Sequence, residues 1–342
     1  MRPPWLSVIV PAWRAEQFLT DSLKALRGSA APAGGFELIV VDDGSDDNTV
    51  DVADRWADRV VRLPAPSGGP SRARNAGAEA AHGEWLLFVD ADVCVHADTL
   101  VRLAQSVARH PAATAIFGTY DATPAHPGFI SQYRNLLHRW FHLTNAGPAE
   151  TFWAGLGAVR ADVFRRVGGF DAVAHPRQLE DVELGYRLRE SGERVMLDPS
   201  IEGTHLKRWT FSRMAVTDFR DRGLTWMRLV LDGGRARRAS LNLGWRERGR
   251  VILAGGVLLA TPLALIAWSK ALGLVAAALA AALLLSNLRV YRWFASLKGW
   301  RFAVGVVPLH FWYYLSNAAA AALGLLAYTR RRLAPLPGPS HA

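Results

Sequence analysis

The stretch Trp85-Leu86-Leu87-Phe88-Val89-Asp90-Ala91-Asp92 decides the fold. Five apolar residues in succession read as a strand covered on both faces, the environment of a parallel sheet. Two carboxylates follow at once. Unpaired buried charge is costly, so Asp90 and Asp92 need partners. A hard divalent cation, Mg2+ or Mn2+, supplies one, because such ions take carboxylate oxygens and keep other positions for water and phosphate. Spaced two apart, the acids share a face if the strand continues. A solvated turn with helix-capping aspartates is the plainer alternative.

Toward the N-terminus the same grammar repeats. Leu6–Val10 and Phe36–Val41 are continuous apolar runs, and Val60-Val61 begins a shorter one. Between them, Phe18, Leu19, Ser22, Leu23 and Leu26 follow a helical stripe that Gly28 ends, and Val50, Ala53 and Trp56 mark a second helix. The loop from Pro64 to Pro70 precedes a helix expected over Ser71–Ala81. Strands alternating with helices at this spacing predict an α/β domain with a doubly wound, mostly parallel sheet. Ligands of such sheets bind outside the carboxyl ends of the strands. Three strands end there in Pro11-Ala12-Trp13, Asp42-Asp43-Gly44-Ser45 and Asp90-Ala91-Asp92.

Composition separates the two ends of the chain. Among 342 residues half are hydrophobic, a fifth are charged and one is Cys. That excludes a disordered chain and a disulfide scaffold, and it suits a reducing compartment. The N-terminal apolar run is the length of one strand, so it is not a secretory signal and the first part of the chain is expected in the cytosol. From Gly203 to Arg250 twelve Lys/Arg stand against four Asp/Glu, which is most of the net +10. Interleaved Trp209, Phe211, Met214, Phe219, Leu224, Trp226 and Leu229 read as an interfacial amphipathic segment on anionic lipid. Its place before the apolar runs favours lipid over nucleic acid. Runs at 251–268, 271–288 and 303–327 are long enough for about three transmembrane helices. Arg246, Arg248, Arg250, Arg289, Arg292, Lys298 and Arg301 fall on the cytosolic side if the first two form a hairpin at Lys270. Arg330–Arg332 then lie outside, against the rule. The expected organisation is a catalytic domain over 1–202, a basic segment over 203–250, membrane helices over 251–332 and a tail over 333–342.

Taken in order, Val8-Ile9-Val10-Pro11-Ala12, Leu38–Ser45, Ala73-Arg74-Asn75-Ala76-Gly77, Phe88–Asp92 and Glu180-Asp181-Val182-Glu183-Leu184 form a specific set. The chain resembles the inverting family 2 glycosyltransferases of GT-A fold over about residues 5–205. The resemblance implies a nucleotide-diphosphate sugar donor, a UDP-sugar by default, and Mg2+ or Mn2+. It implies that Pro11, Ala12 and Trp13 line the base pocket, with Trp13 in place of the usual Tyr or Phe. Arg14 stands where the family often has Asn. Asp43 would bond the base, Arg74 and Asn75 would lie near the diphosphate, Asp90 would meet the ribose, and Asp92 would hold the metal, with His205 as a further ligand. Asp181 would be the base and Glu180 its neighbour in the catalytic pair. Glycine-rich stretches containing Trp153 and Gly155 would shape the sugar and acceptor pocket, and Lys207, Arg208 and Trp209 would face donor phosphate or a lipid-phosphate acceptor.

An inverting transfer needs a base for the acceptor hydroxyl, and the metal neutralises the departing diphosphate. Acids in the first turn of a helix also complement its dipole, and Glu183 with Arg187 reads as an i,i+4 structural pair. The membrane segments point to a lipid-linked or glycolipid acceptor in cell-envelope glycan synthesis. Alternatives from other classes are a metal-dependent nucleotidyltransferase or phosphatase, and a non-catalytic membrane module that binds nucleotide sugar. A processive synthase is disfavoured because Leu206-Lys207-Arg208-Trp209 keeps only the Arg-Trp of the processive Gln-x-x-Arg-Trp signature.

Overall fold

The computed structural model describes residues 3–175, 178–232 and 244–333. The chain divides into two compact units, Met1–Trp209 and Thr210–Ala342. The tail 334–342 and the basic stretch 233–243 lie outside the described residues.

The N-terminal unit is an α/β domain. It runs β1 (Leu6–Ala12), α1 (Glu16–Arg27), β2 (Phe36–Asp42), α2 (Thr49–Trp56), β3 (Arg59–Arg62), α3 (Pro70–Ala80), β4 (Trp85–Val89), β5 (Val93–Val95) and α4 (Thr99–Arg109). Then come β6 (Ala115–Tyr120), α5 (Phe129–Thr144), β7 (Gly147–Ala149), β8 (Leu156–Arg160), α6 (Ala161–Arg166), α7 (Glu180–Glu190) and β9 (Val195–His205). The sheet order is β3-β2-β1-β4-β8-β6-β9-β5, with β7 beside β9. The first four strands are parallel, with Leu6 opposite both Phe36 and Trp85. Beyond β4 the sheet is mixed: β8 is antiparallel to β4 and β6, while β6 and β9 are parallel.

The apolar runs become the core for the expected reason. All five residues of β4 are buried, as are Val8, Ile9, Val10 and Leu38–Val41. Strand β4 stops at Val89, and Asp90-Ala91-Asp92 forms a turn in which Val93 N–H donates to Asp90 O (3.0 Å). The two acids therefore do not share a strand face, and each is free to point to a different partner. Helix α7 approaches the connection between β7 and β8 closely at Gly185, where a Cβ would lie 2.2 Å from Phe152 N. That approach brings the N-terminus of α7 to the strand ends.

The C-terminal unit is helical. Residues Phe211–Val216 (α8) continue through a π-helical stretch, Thr217–Leu224, into α9 (Thr225–Asp232), followed by α10 (Trp245–Ile266), α11 (Lys270–Ser286), α12 (Leu288–Lys298) and α13 (Trp300–Leu333). The basic segment expected over 203–250 is thus three pieces, since Gly203–His205 belong to β9 and Arg246–Arg250 to α10. Its apolar face is partly covered within the unit: a Cβ on Gly223 would lie 2.8 Å from Ala320 Cβ, and Met214, Leu229 and Val230 are buried. Of the three apolar runs, those on α10, α11 and α13, α10 is the one among the described residues long and apolar enough to cross a membrane by itself. Helices α11 and α12 pass that test as a pair bent by 52°. The apolar run on α13 is interrupted by His310, Ser316 and Asn317, which lower its apolarity, while the helix itself is continuous. Polar groups knit the helices together: Tyr314 Oη donates to Glu247 Oε2 (2.7 Å), Glu247 pairs with Arg250, and Asn287, at the α11–α12 bend, is fully buried.

Candidate active site

The C-terminal ends of β1, β2 and β4 form one edge of the sheet. At the end of β2, Asp42 and Asp43 have separate duties. Asp42 accepts from Ser45 N–H (3.2 Å) and closes the turn, while helix α2 is started by Asp47, whose Oδ1 accepts from Thr49 N–H (3.1 Å). Asp43 is not a helix cap. Its Oδ2 accepts from Ser67 Oγ–H (2.6 Å) and Gly69 N–H (2.7 Å), while its buried Oδ1 has no hydrogen-bond donor among the described residues and faces Arg72 Nε at 3.8 Å, a longer ion pair. A buried acceptor of this kind usually has a partner, so this oxygen suits a ligand N–H. Asp43 N–H also donates to Ala12 O (2.9 Å), which ties the β2 end to Pro11, Ala12 and Trp13. Ala12 is buried, Pro11 is half-buried and Trp13 is 45% exposed, an accessible ring. Arg14 lies over that ring at 5.1 Å and pairs with the exposed Asp46.

At the β4 end the two acids diverge. Asp90 accepts from Arg74 Nη2 (2.7 Å), and Arg74 Nη1 donates to Glu180 Oε1 (2.6 Å). Arg74 is 4% exposed. Held between two carboxylates, it stays charged, because their attraction outweighs the burial that works against its charge. It was expected near a diphosphate; the protein contacts that hold it are carboxylates. Asn75 turns elsewhere and clamps Phe170, giving Nδ2–H to its O (2.8 Å) and accepting from its N–H (2.9 Å).

Glu180 and Asp181 open α7, preceded by Leu179 in the left-handed region (φ 59°), a conformation uncommon for a bulky side chain. Asp181 accepts from Ala154 N–H (3.2 Å) and Val182 N–H (2.8 Å). Burial and the neighbouring Glu180 push its carboxyl up to about 7, against the opposing pull of Arg74 and the two N–H groups. That places it where a general base works best. Arg187 bonds Glu183 (2.8 Å) and Val167 and Gly169 carbonyls, so this pair is structural.

Asp92 faces the other way, toward β9. The pairing of Val93 with His205 brings His205 Nε2 to 3.4 Å from Asp92 Oδ2. Burial alone would raise the Asp92 carboxyl, but His205 and Lys207 hold it below the ordinary range. Its other ring nitrogen meets Asn135 of α5, and Tyr120 stacks on the ring at 4.5 Å. One carboxylate and one imidazole at this spacing suit Mn2+ or Mg2+ with diphosphate oxygens in the remaining positions. Among the described residues there is no cluster of three or more His, Cys, Asp or Glu fit to hold a metal alone.

Trp153 packs on Tyr120 (4.9 Å) and His138 (4.8 Å) and lies over Gly155, where a Cβ would come within 2.5 Å of its ring. Gly155 O accepts from Asp90 N–H (3.1 Å), so this segment joins the β4 end to Asp181. Trp209 sits between Arg134 (5.6 Å) and Lys207 (5.2 Å), with its N–H on Ser131 Oγ (2.8 Å), whereas Arg208 is exposed. Ser67, Gly69 and Asn135 carry no motif in the sequence reading; the Gly-Gly-Pro loop was the one available signal for the first two.

Residues 7–166, most of the N-terminal unit, match the family model described as glycosyl transferase family 2. Two curated relatives illustrate the match. The poly(ribitol-phosphate) beta-N-acetylglucosaminyltransferase TarS of Staphylococcus aureus is 36% identical over 108 residues, 30% of this chain and 19% of that one. A PGL/p-HBAD biosynthesis glycosyltransferase of Mycobacterium tuberculosis is 33% identical over 123 residues, 34% of this chain and 47% of that one. The matched part thus spans less than half of either relative. Among solved structures, the mannosyltransferase PcManGT of Pyrobaculum calidifontis in complex with GDP-Man and Mn2+ aligns with TM-score 0.57 at 20% identity, covering 95% of this chain and 87% of that one. TarS 1–349 in complex with UDP-GlcNAc aligns with TM-score 0.51 at 19% identity, covering 95% and 92%. At these identities the likeness concerns the fold, which is GT-A.

Proposed function

We propose that this protein is an inverting glycosyltransferase that moves a sugar from a nucleotide-diphosphate sugar to a membrane-associated acceptor. The observation that carries the proposal is the meeting, at one sheet edge, of a buried Asp43 oxygen that receives no hydrogen bond, Asp92 facing His205, and Asp181 with a carboxyl pushed up to about 7.

The base of the donor, uracil by default, stacks on Trp13 beside Pro11 and Ala12 and gives an N–H to Asp43. Asp90 receives the ribose. Mg2+ or Mn2+, held by Asp92 and His205, would neutralise charge on the diphosphate. Asp181 takes the proton of the acceptor hydroxyl as its oxygen attacks the anomeric carbon; the bond from that carbon to the phosphate oxygen breaks on the opposite face, and the nucleoside diphosphate leaves. Arg74 acts through its two carboxylates: it holds Asp90 in place and, with Glu180, sets the charge around Asp181. Trp153 and Gly155 wall the sugar and acceptor pocket, with Arg208 and Trp209 on its acceptor side.

The membrane half of the proposal rests on composition and helix length. Helix α10 presents Ile252, Leu259, Leu265 and Ile266 outward, as a lipid-facing helix does. We place the chain in the cytoplasmic membrane, with three helical segments in the bilayer, the catalytic unit in the cytosol and a lipid-linked or glycolipid acceptor.

The test is binding of UDP, GDP and dTDP to the detergent-purified full chain, each with Mn2+ and with EDTA, in wild type and Asp92→Ala. Metal-dependent binding of one nucleotide, lost in the variant, is expected and is followed by a screen of sugars and acceptors. No binding of any nucleotide to folded protein overturns the reading, and nucleotide binding without sugar transfer in the screen favours a non-catalytic module.

A further inference from the structure

Seventy residues separate Asn135 on α5 from His205 at the end of β9, and their side chains meet at 2.6 Å, Asn135 Oδ1 to His205 Nδ1. Both are nearly sealed from solvent, at 2% and 5% exposure. The orientation of the amide is fixed by its other end. Asn135 Nδ2 donates to Ser131 O (2.9 Å) one turn back. A carbonyl only accepts, so the nitrogen end must face Ser131 and the oxygen end must face the imidazole. An amide oxygen also only accepts, so His205 Nδ1 must carry a hydrogen. The nitrogen left for other work is Nε2, and it faces Asp92 at 3.4 Å. Tyr120, stacked within 9° of parallel, holds the plane of the ring. The same turn of α5 also fixes the chain beyond β9, because Ser131 Oγ accepts from Trp209 N–H.

We infer that Asn135 is a positioning residue: it locks His205 with Nδ1 protonated and turns Nε2 toward Asp92, so that the pair is built in advance to share a divalent cation. A partner behind a metal-binding histidine fixes tautomer and ring angle, and its loss typically weakens metal affinity about 10–100-fold. The inference rests on the proposed nucleotide-sugar function and on Asp92 and His205 as its metal-holding residues. The sequence contains no hint of it, since Asn135 lies in a helix with no motif and no neighbour in the chain that bears on the site.

The experiment uses the full chain in detergent with Mn2+ and the nucleotide that wild type binds. Mn2+ affinity is read by the EPR signal of free Mn2+, and imidazole ligation by nitrogen modulation in pulsed EPR. Wild type is expected to show the nitrogen coupling, and His205→Asn to lose it. Asn135→Leu is expected to lose it with an affinity drop of about 10–100-fold. Asn135→Ser, a gentler change that also withdraws the acceptor, guards against a folding failure in Asn135→Leu and is expected to behave alike. Asn135→Asp keeps an acceptor and is expected to keep the coupling. Unchanged coupling and affinity in the Leu and Ser variants overturn the inference, as does loss of coupling in Asn135→Asp. Wild type that binds nucleotide and Mn2+ without nitrogen coupling overturns it while the proposed function stands. Wild type that binds no nucleotide overturns both.

Discussion

Arg74 and Glu180 lie 106 residues apart in the chain and 2.6 Å apart in the fold, both nearly inaccessible to water. With Asp90 on the other side of the guanidinium, the contact joins α3, the β4 end and the N-terminus of α7. Removing one partner of a buried ion pair strands the other charge and costs about 3–5 kcal/mol. Arg74→Gln leaves two carboxylates without their cation beside a third, Asp181. A destabilisation of about that size in chemical unfolding of the N-terminal unit is expected, with the acid limb of activity moving to higher pH, because Arg74 holds the Asp181 carboxyl down. An unmoved limb would remove Arg74 from the control of Asp181.

Asp181 must be ionised to accept a proton, so activity is expected to rise with pH through a midpoint near 7. Asp181→Asn should lower kcat by about 10²–10⁴-fold with nucleotide binding retained. The stability consequence has the opposite sense. The folded chain holds this proton more tightly than an unfolded chain, whose carboxyl titrates near 3.8, so its contribution to stability is full below that value and falls as pH rises toward 7. Asp181→Asn is accordingly expected to melt above wild type at pH 8, with the gap closing toward pH 4. A gap that widens on acidification would contradict this.

Asp43 accepts from Ser67 and Gly69 with one oxygen, and the other, 3.8 Å from Arg72 Nε, receives no hydrogen bond among the described residues and is the atom proposed to meet the base. Hydrogen bonds to a charged group contribute about 1.5–3 kcal/mol. Asp43→Ala is therefore expected to weaken nucleotide binding by at least tenfold in calorimetry, with metal present. Asp46→Ala, which breaks an exposed pair with Arg14, should leave the affinity within about twofold, since solvent screens such pairs.

Gly155 has no room for a methyl group: its Cβ would lie 2.5 Å from the Trp153 ring. Gly155→Ala should push Trp153 off its place at a strain of about 1–3 kcal/mol. A rise in KM for acceptor or donor sugar with the Kd of free nucleotide unchanged is expected. Equal losses in both would mean that the change reaches the whole strand end.

Much of the catalytic unit was legible in the residues. Leu6–Val10, Phe36–Val41 and Trp85–Val89 are buried strands because continuous apolar runs cannot be left in water, and the polar loops Asp42–Ser45 and Asp90–Asp92 fall at their carboxyl ends because a polar backbone turn cannot be buried there unpaired. The motif order Asp43, Arg74, Asp92, Asp181 was visible through the resemblance to family 2 glycosyltransferases. The C-terminal apolar runs were also plain, and the second was read as ending at 288, but helix α12 beyond Asn287 was not, since Arg289, Arg292 and Lys298 read as a charged connection between two spans.

Neighbours along the chain thus determined the strands, the loops at their ends and the apolar helices, through burial and backbone pairing that act over a few residues. Only the packed fold decided which side chains meet. It turned Asp90 to Arg74 and Asp92 to His205, although a single residue separates them, and it raised the Asp181 carboxyl by burying it beside Glu180 at the start of α7. Those are contacts between distant elements, and their geometry depends on how α3, α5 and α7 sit on the sheet, which no local pattern encodes.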